Sequence, residues 1–87
     1  MKLSILYHPE SESARSVEEF SHNFHKQTGK DAEFISLETK EGADLARIYD
    51  IVNYPAVLVR RDTGELLSSW QGENLPLINE VAGYMLS

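Results

Sequence analysis

The chain predicts an α/β fold in which a four-stranded mixed sheet carries helices on both faces, in the order βαβαββα. Two observations lead there. An apolar run at residues 2–7 is followed by a helical stripe and then by a second apolar run, which is the pattern of a βαβ unit. After Pro55 an apolar run, a turn and a second strand-like run read as a β-hairpin, with one more helical stripe behind it.

Taken in order, Lys2 to Tyr7 holds Leu3, Ile5, Leu6 and Tyr7, which suits a strand buried on both faces. Pro9 stops it. Ser11-Glu12-Ser13 offers serine caps and an acidic first turn for a helix over about Ser13–Thr28, whose Ala14, Val17, Phe20 and Phe24 share one face and whose stop is Gly29. Asp31 to Thr39 is the second strand, centred on Phe34, Ile35 and Leu37. A strand, a helix and a strand within about forty residues imply a right-handed crossover and parallel strands.

Glu41-Gly42-Ala43-Asp44 opens a short helix with Leu45, Ile48 and Tyr49 on one face, ended by Asp50 because aspartate tolerates turn conformations. Ala56 to Arg61 is the third strand, Asp62-Thr63-Gly64 the turn, and Glu65 to Gln71 a fourth strand returning antiparallel before Gly72. Asn74 is placed to cap a last helix with Pro76 in its first turn and Leu77/Ile78, Val81 and Tyr84/Met85 as its stripe. One core is expected from Leu3, Ile5, Val17, Phe20, Phe24, Phe34, Ile35, Leu37, Val57, Val59 and Val81.

Composition narrows the function classes. At 87 residues the chain is expected to be one domain spanning 1–87, burying roughly 60–65% of its unfolded surface. A net charge of −6 opposes a nucleic-acid or anionic-membrane surface, since both require clustered Lys and Arg. Arg60 and Arg61 are the adjacent pair, and they read as a strand end facing solvent. The longest uninterrupted apolar stretch, Ala56 to Val59, is far short of a membrane span, and the opening run gives way to polar residues too soon for a signal peptide; the expected location is cytoplasmic. The chain has no cysteine, which excludes a disulfide framework, a thiolate metal site and a cysteine nucleophile.

From Tyr49 to Gly72 the sequence resembles thioredoxins. Tyr49-Asp50-Ile51-Val52-Asn53-Tyr54-Pro55-Ala56-Val57-Leu58-Val59 is similar to that family's approach to its third strand, and Gly64 and Gly72 fall where the family has its own glycines. The resemblance implies a thioredoxin- or glutaredoxin-like fold with Pro55 in the cis form. It maps the family's Cys-x-x-Cys onto Ser11-Glu12-Ser13-Ala14, so both thiol positions are lost, to Ser11 and Ala14. A hydroxyl cannot supply the thiolate or the resolving thiol that disulfide exchange needs. The resemblance further implies a surface where an extended peptide pairs with the backbone ahead of the proline, at Tyr54, Pro55, His8, Ser11, Glu12 and Ser13.

Other chemistries fare worse. His8 with Ser11 or Ser13 lacks a third member and any nucleophile elbow. A glutathione-dependent enzyme, the alternative reading, would bring an anionic cofactor against Glu10, Glu12 and Glu73, and the helical second domain of glutathione transferases is not expected within 1–87. His22 and His25 have a metal-compatible spacing with no third ligand, and they read as a solvated helix face. Trp70 reads as core or half-core. The expectation is a redox-inactive protein-binding module with an unidentified protein or peptide partner, with no cofactor, metal, nucleic acid or membrane.

Overall fold

Seven elements follow one another in the computed structural model, which describes residues 1–85. They are β1 (Lys2–Tyr7), α1 (Ser13–Thr28), β2 (Ala32–Ser36), α2 (Lys40–Ile48), β3 (Ala56–Arg60), β4 (Leu66–Gln71) and α3 (Ile78–Met85). The sheet order is β2-β1-β3-β4. β1 and β2 are parallel, whereas β3 runs antiparallel to both β1 and β4.

The sheet has a core on each face rather than the single core expected. Side chains alternate along a strand, so Leu3 and Ile5 of β1 and Val57 and Val59 of β3 pack under α1 and α3 with Val17, Phe20, Phe24, Val81 and Met85. Their neighbours Leu6, Ala56 and Leu58 face the other way and join Ile35, Ala46 and Ile51 under α2. Ile35 and Leu37 therefore belong to the second layer, Leu37 only half-buried. Phe34 lies outside both cores. It is 41% exposed on β2, an edge strand of the sheet, and its ring rests on Tyr7 with centroids 5.6 Å apart.

Several element ends differ from expectation. The serines do not cap α1: Glu12 occupies the cap position with helical backbone angles and no side-chain bond, and Ser11 Oγ turns back to donate to the His8 carbonyl. β2 ends at Ser36, because Leu37–Thr39 form the turn into α2 and the Thr39 hydroxyl caps that helix by accepting from Gly42 N–H at 3.1 Å. α3 starts only at Ile78, leaving Asn74, Pro76 and an exposed Leu77 in the preceding loop. Ile48 is 65% exposed, since α2 turns Gly42 and Ala46 toward the sheet. Arg60 does not face solvent. Its side chain is 12% exposed and reaches across β1 to donate to Ser4 Oγ at 3.0 Å and pair with Glu33 at 3.4 Å, while Arg61 pairs with Glu65 on the surface.

Because the Thr39 cap satisfies an otherwise orphaned donor at the start of a nine-residue helix, Thr39→Ala should cost about 1 kcal/mol of stability. Urea unfolding measures it. An unchanged midpoint would show that another group caps α2.

Candidate functional site

The end of α2 shapes the region ahead of Pro55. Asp50 takes a left-handed conformation (φ 55°), and its N–H reaches the Arg47 carbonyl while Ile51 N–H reaches the Ala46 carbonyl at 2.8 Å. This pair of bonds is a Schellman closure, completed by the packing of Ile51 on Ala46 in the α2-side core. It anchors Ile51 inward and sends Val52, Asn53 and Tyr54 across the surface toward β3.

Beyond this anchor the Tyr54–Pro55 peptide is cis, Pro55 is buried, and its carbonyl accepts from Gly72 N–H at 3.0 Å. Tyr54 is held at its tip, where the hydroxyl donates to the Ile51 carbonyl at 3.0 Å, and its ring meets His8 edge-on at 5.6 Å. Among the described residues nothing bonds the Tyr54 N–H or C=O. Val52 and Asn53 differ: both N–H groups donate to Gln71 Oε1, at 3.0 and 3.2 Å.

A groove of about 400 Å³ runs between α2 and this loop, walled by Ala43, Ala46, Ile51, Val52, Tyr54 and His8. Val52 is 75% exposed at its rim. Of the residues mapped from the resemblance, His8 and Tyr54 are in ring contact. Ser11 joins them through His8: its N–H and Oγ both bond the His8 carbonyl, at 3.0 and 2.7 Å. Ser13 meets Ser11 Oγ to Oγ at 2.9 Å. Glu12 is exposed at the start of α1, and Ala14 is half-buried in its first turn.

Ser11 therefore spends its hydroxyl on a backbone carbonyl and a second serine, and among the described residues no base bonds it. These bonds stabilise the turn between β1 and α1. His25 is paired through Nδ1 with Asp31 at 2.7 Å rather than merely solvated, and among the described residues no three His, Asp or Glu side chains are grouped to hold a metal. Trp70 packs on the α1/α3 side against Tyr84, on the sheet face opposite Tyr54. Among the described residues no helix is long and apolar enough to cross a membrane. Sequence reasoning missed Gln71 and the α2 wall of the groove. Asp50, a turn-tolerant residue at the end of the helical stripe, was the local sequence signal for the turn that builds it.

No protein-family model and no curated protein matches the sequence. Solved structures do match its shape. Thioredoxin 1 from the thermophilic eubacterium Thermosipho africanus superposes with a TM-score of 0.68 at 14% identity, covering 99% of this chain and 91% of that one. The germline-specific thioredoxin Deadhead of Drosophila melanogaster gives 0.63 at 17% identity, covering 98% and 79%. A malarial protein gives 0.60 at 11% identity, covering 99% and 96%. The chain has a thioredoxin-like fold and no cysteine.

Proposed function

We propose that this chain is a non-catalytic thioredoxin-like module that binds an extended peptide of a protein partner at the loop ahead of Pro55, in an interaction or regulatory role. The observation that supports this is the Tyr54 backbone, whose N–H and C=O both stand without a partner among the described residues at the rim of the groove. An extended strand offers the complementary acceptor and donor. Two such bonds contribute about 2 kcal/mol net between them. Most of the affinity must therefore come from a side chain of the peptide filling the groove between Ala43, Val52 and Tyr54.

A random linear-peptide phage library selected on the protein supplies the probe. The selected peptide should shift amide resonances of His8, Tyr54 and the first turn of α1. Ala43→Trp, a change at an exposed groove wall, should weaken its binding roughly tenfold or more without lowering the thermal midpoint. Resonance shifts confined to the outer face of β2 or α3, or undiminished binding by Ala43→Trp, would refute this site. Reduced glutathione, scanned in parallel, should leave the midpoint unchanged; a rise with glutathione and none with any peptide would favour a thiol-cofactor enzyme instead.

A further inference from the structure

We infer that Gln71 is the positioning residue of the peptide site and that its side chain sets the register in which a peptide pairs. The inference rests on the peptide-binding reading above. Gln71 ends β4, and in the ladder it lies opposite Ala56, the first residue of β3. From there its amide oxygen crosses to the loop and accepts from both Val52 N–H (3.0 Å) and Asn53 N–H (3.2 Å). One side chain thus clamps two consecutive amides immediately before Tyr54.

The clamp has two consequences. First, residues 52–53 lie outside every helix and strand and are exposed, so without Gln71 they would keep the conformational freedom of a loop. Fixing them orients the next peptide unit, which carries the Tyr54 N–H, before any ligand arrives, and lowers the ordering cost of binding. Second, the clamp removes two competing donors. An incoming strand meets N–H groups at 52 and 53 that are already engaged and a Tyr54 N–H and C=O that are not. Both main-chain bonds then fall on one residue, as in a hydrogen-bonded pair of an antiparallel ladder. A one-residue slip would put the wrong side chain over the groove.

Gln71 is exposed and belongs to neither core, so its variants should fold. Gln71→Leu keeps the length and loses the acceptor; Gln71→Glu keeps an acceptor oxygen in the same place. Hydrogen exchange of the Val52 and Asn53 amides reads the clamp, and fluorescence polarisation of the phage-selected peptide reads binding. We expect Gln71→Leu to speed exchange at both amides roughly tenfold and weaken the peptide about three- to tenfold, with an unchanged thermal midpoint. Gln71→Glu should restore both.

Unchanged exchange in Gln71→Leu would overturn the clamp. Faster exchange with undiminished peptide affinity would overturn the positioning role alone, leaving the peptide site standing. A wild-type protein that selects no peptide, yet shows protected Val52 and Asn53 amides, would overturn the binding reading and this role with it.

Discussion

Replacing Gly42 with alanine is expected to destabilise the protein by about 3 kcal/mol, although alanine is the better helix former by about 1 kcal/mol. Gly42 sits in the first turns of α2, buried, where the helix touches the end of β2. A Cβ built there would lie 2.0 Å from the Ser36 carbonyl oxygen, 2.8 Å from its carbon and 3.1 Å from Leu37 Cα. These are backbone atoms, which cannot swing aside as the tip of a side chain would. The Ser36 carbonyl is further committed, accepting from both the N–H (3.2 Å) and the hydroxyl (2.7 Å) of Thr39. Relief of the clash therefore requires α2 to lift, which opens the packing of Ala46 on the sheet and displaces the wall of the groove. Gly83 is the internal control. It also lies in a helix, but nothing stands within 4 Å of its would-be Cβ, so Gly83→Ala should stabilise by up to about 1 kcal/mol. Urea titrations of the two variants should move in opposite directions. A Gly42→Ala midpoint at or above wild type would mean that α2 does not approach β2 so closely.

That glycine also marks where sequence reasoning reached its limit. The stripe Val17, Phe20 and Phe24 repeats at helical spacing and can be read without knowing its neighbours; in the structure all three are buried under one sheet face. The same logic put Ile48 on one apolar face of α2 with Leu45 and Tyr49; those two pack against the core while Ile48 is exposed, because Gly42 and Ala46 set the close approach of this short helix. Phe34 failed for a topological reason. Its own segment reads as a strand, but whether a strand is central or at an edge depends on partners elsewhere in the chain.

Arg60 illustrates the third kind of loss. Its partners Ser4 and Glu33 lie on two other strands, so nothing near Arg60 in the chain announces that its charge will be mostly buried. The site followed the same division. Pro55 and the apolar strand behind it were legible, and with them the location of the loop. The clamp from Gln71 was not, because its choice between solvent and the loop amides is made by tertiary placement across eighteen and nineteen residues of separation.

The double variant Ser11→Cys with Ala14→Cys is expected to form an intramolecular disulfide under mild oxidation and to reduce insulin slowly in the presence of dithiothreitol, starting from a parent sequence with no cysteine. Ala14 N–H donates to the Ser11 carbonyl at 3.2 Å, closing a four-residue turn. Such turns hold their end Cα atoms within about 7 Å, close to the upper range that a disulfide spans. Ser11 also precedes α1, a helix of sixteen residues, whose N-terminal dipole favours a thiolate. Two features oppose that ionisation. The side chain at 11 points at the His8 carbonyl, which accepts a hydrogen bond from a neutral thiol but repels a thiolate, and the flanking Glu10 and Glu12 add like charge. Pairing should therefore be readily achieved while catalysis stays slow, because attack on a substrate disulfide needs the thiolate and pairing needs mainly proximity. Mass spectrometry after alkylation counts free thiols, the insulin turbidity assay reads turnover, and the two single variants control for adventitious reduction. A pair that stays reduced under oxidant would show that the 11–14 turn does not hold the two positions as the Ala14–Ser11 bond places them. A disulfide that forms without turnover above dithiothreitol alone would show that the His8 carbonyl and the two glutamates outweigh the helix dipole.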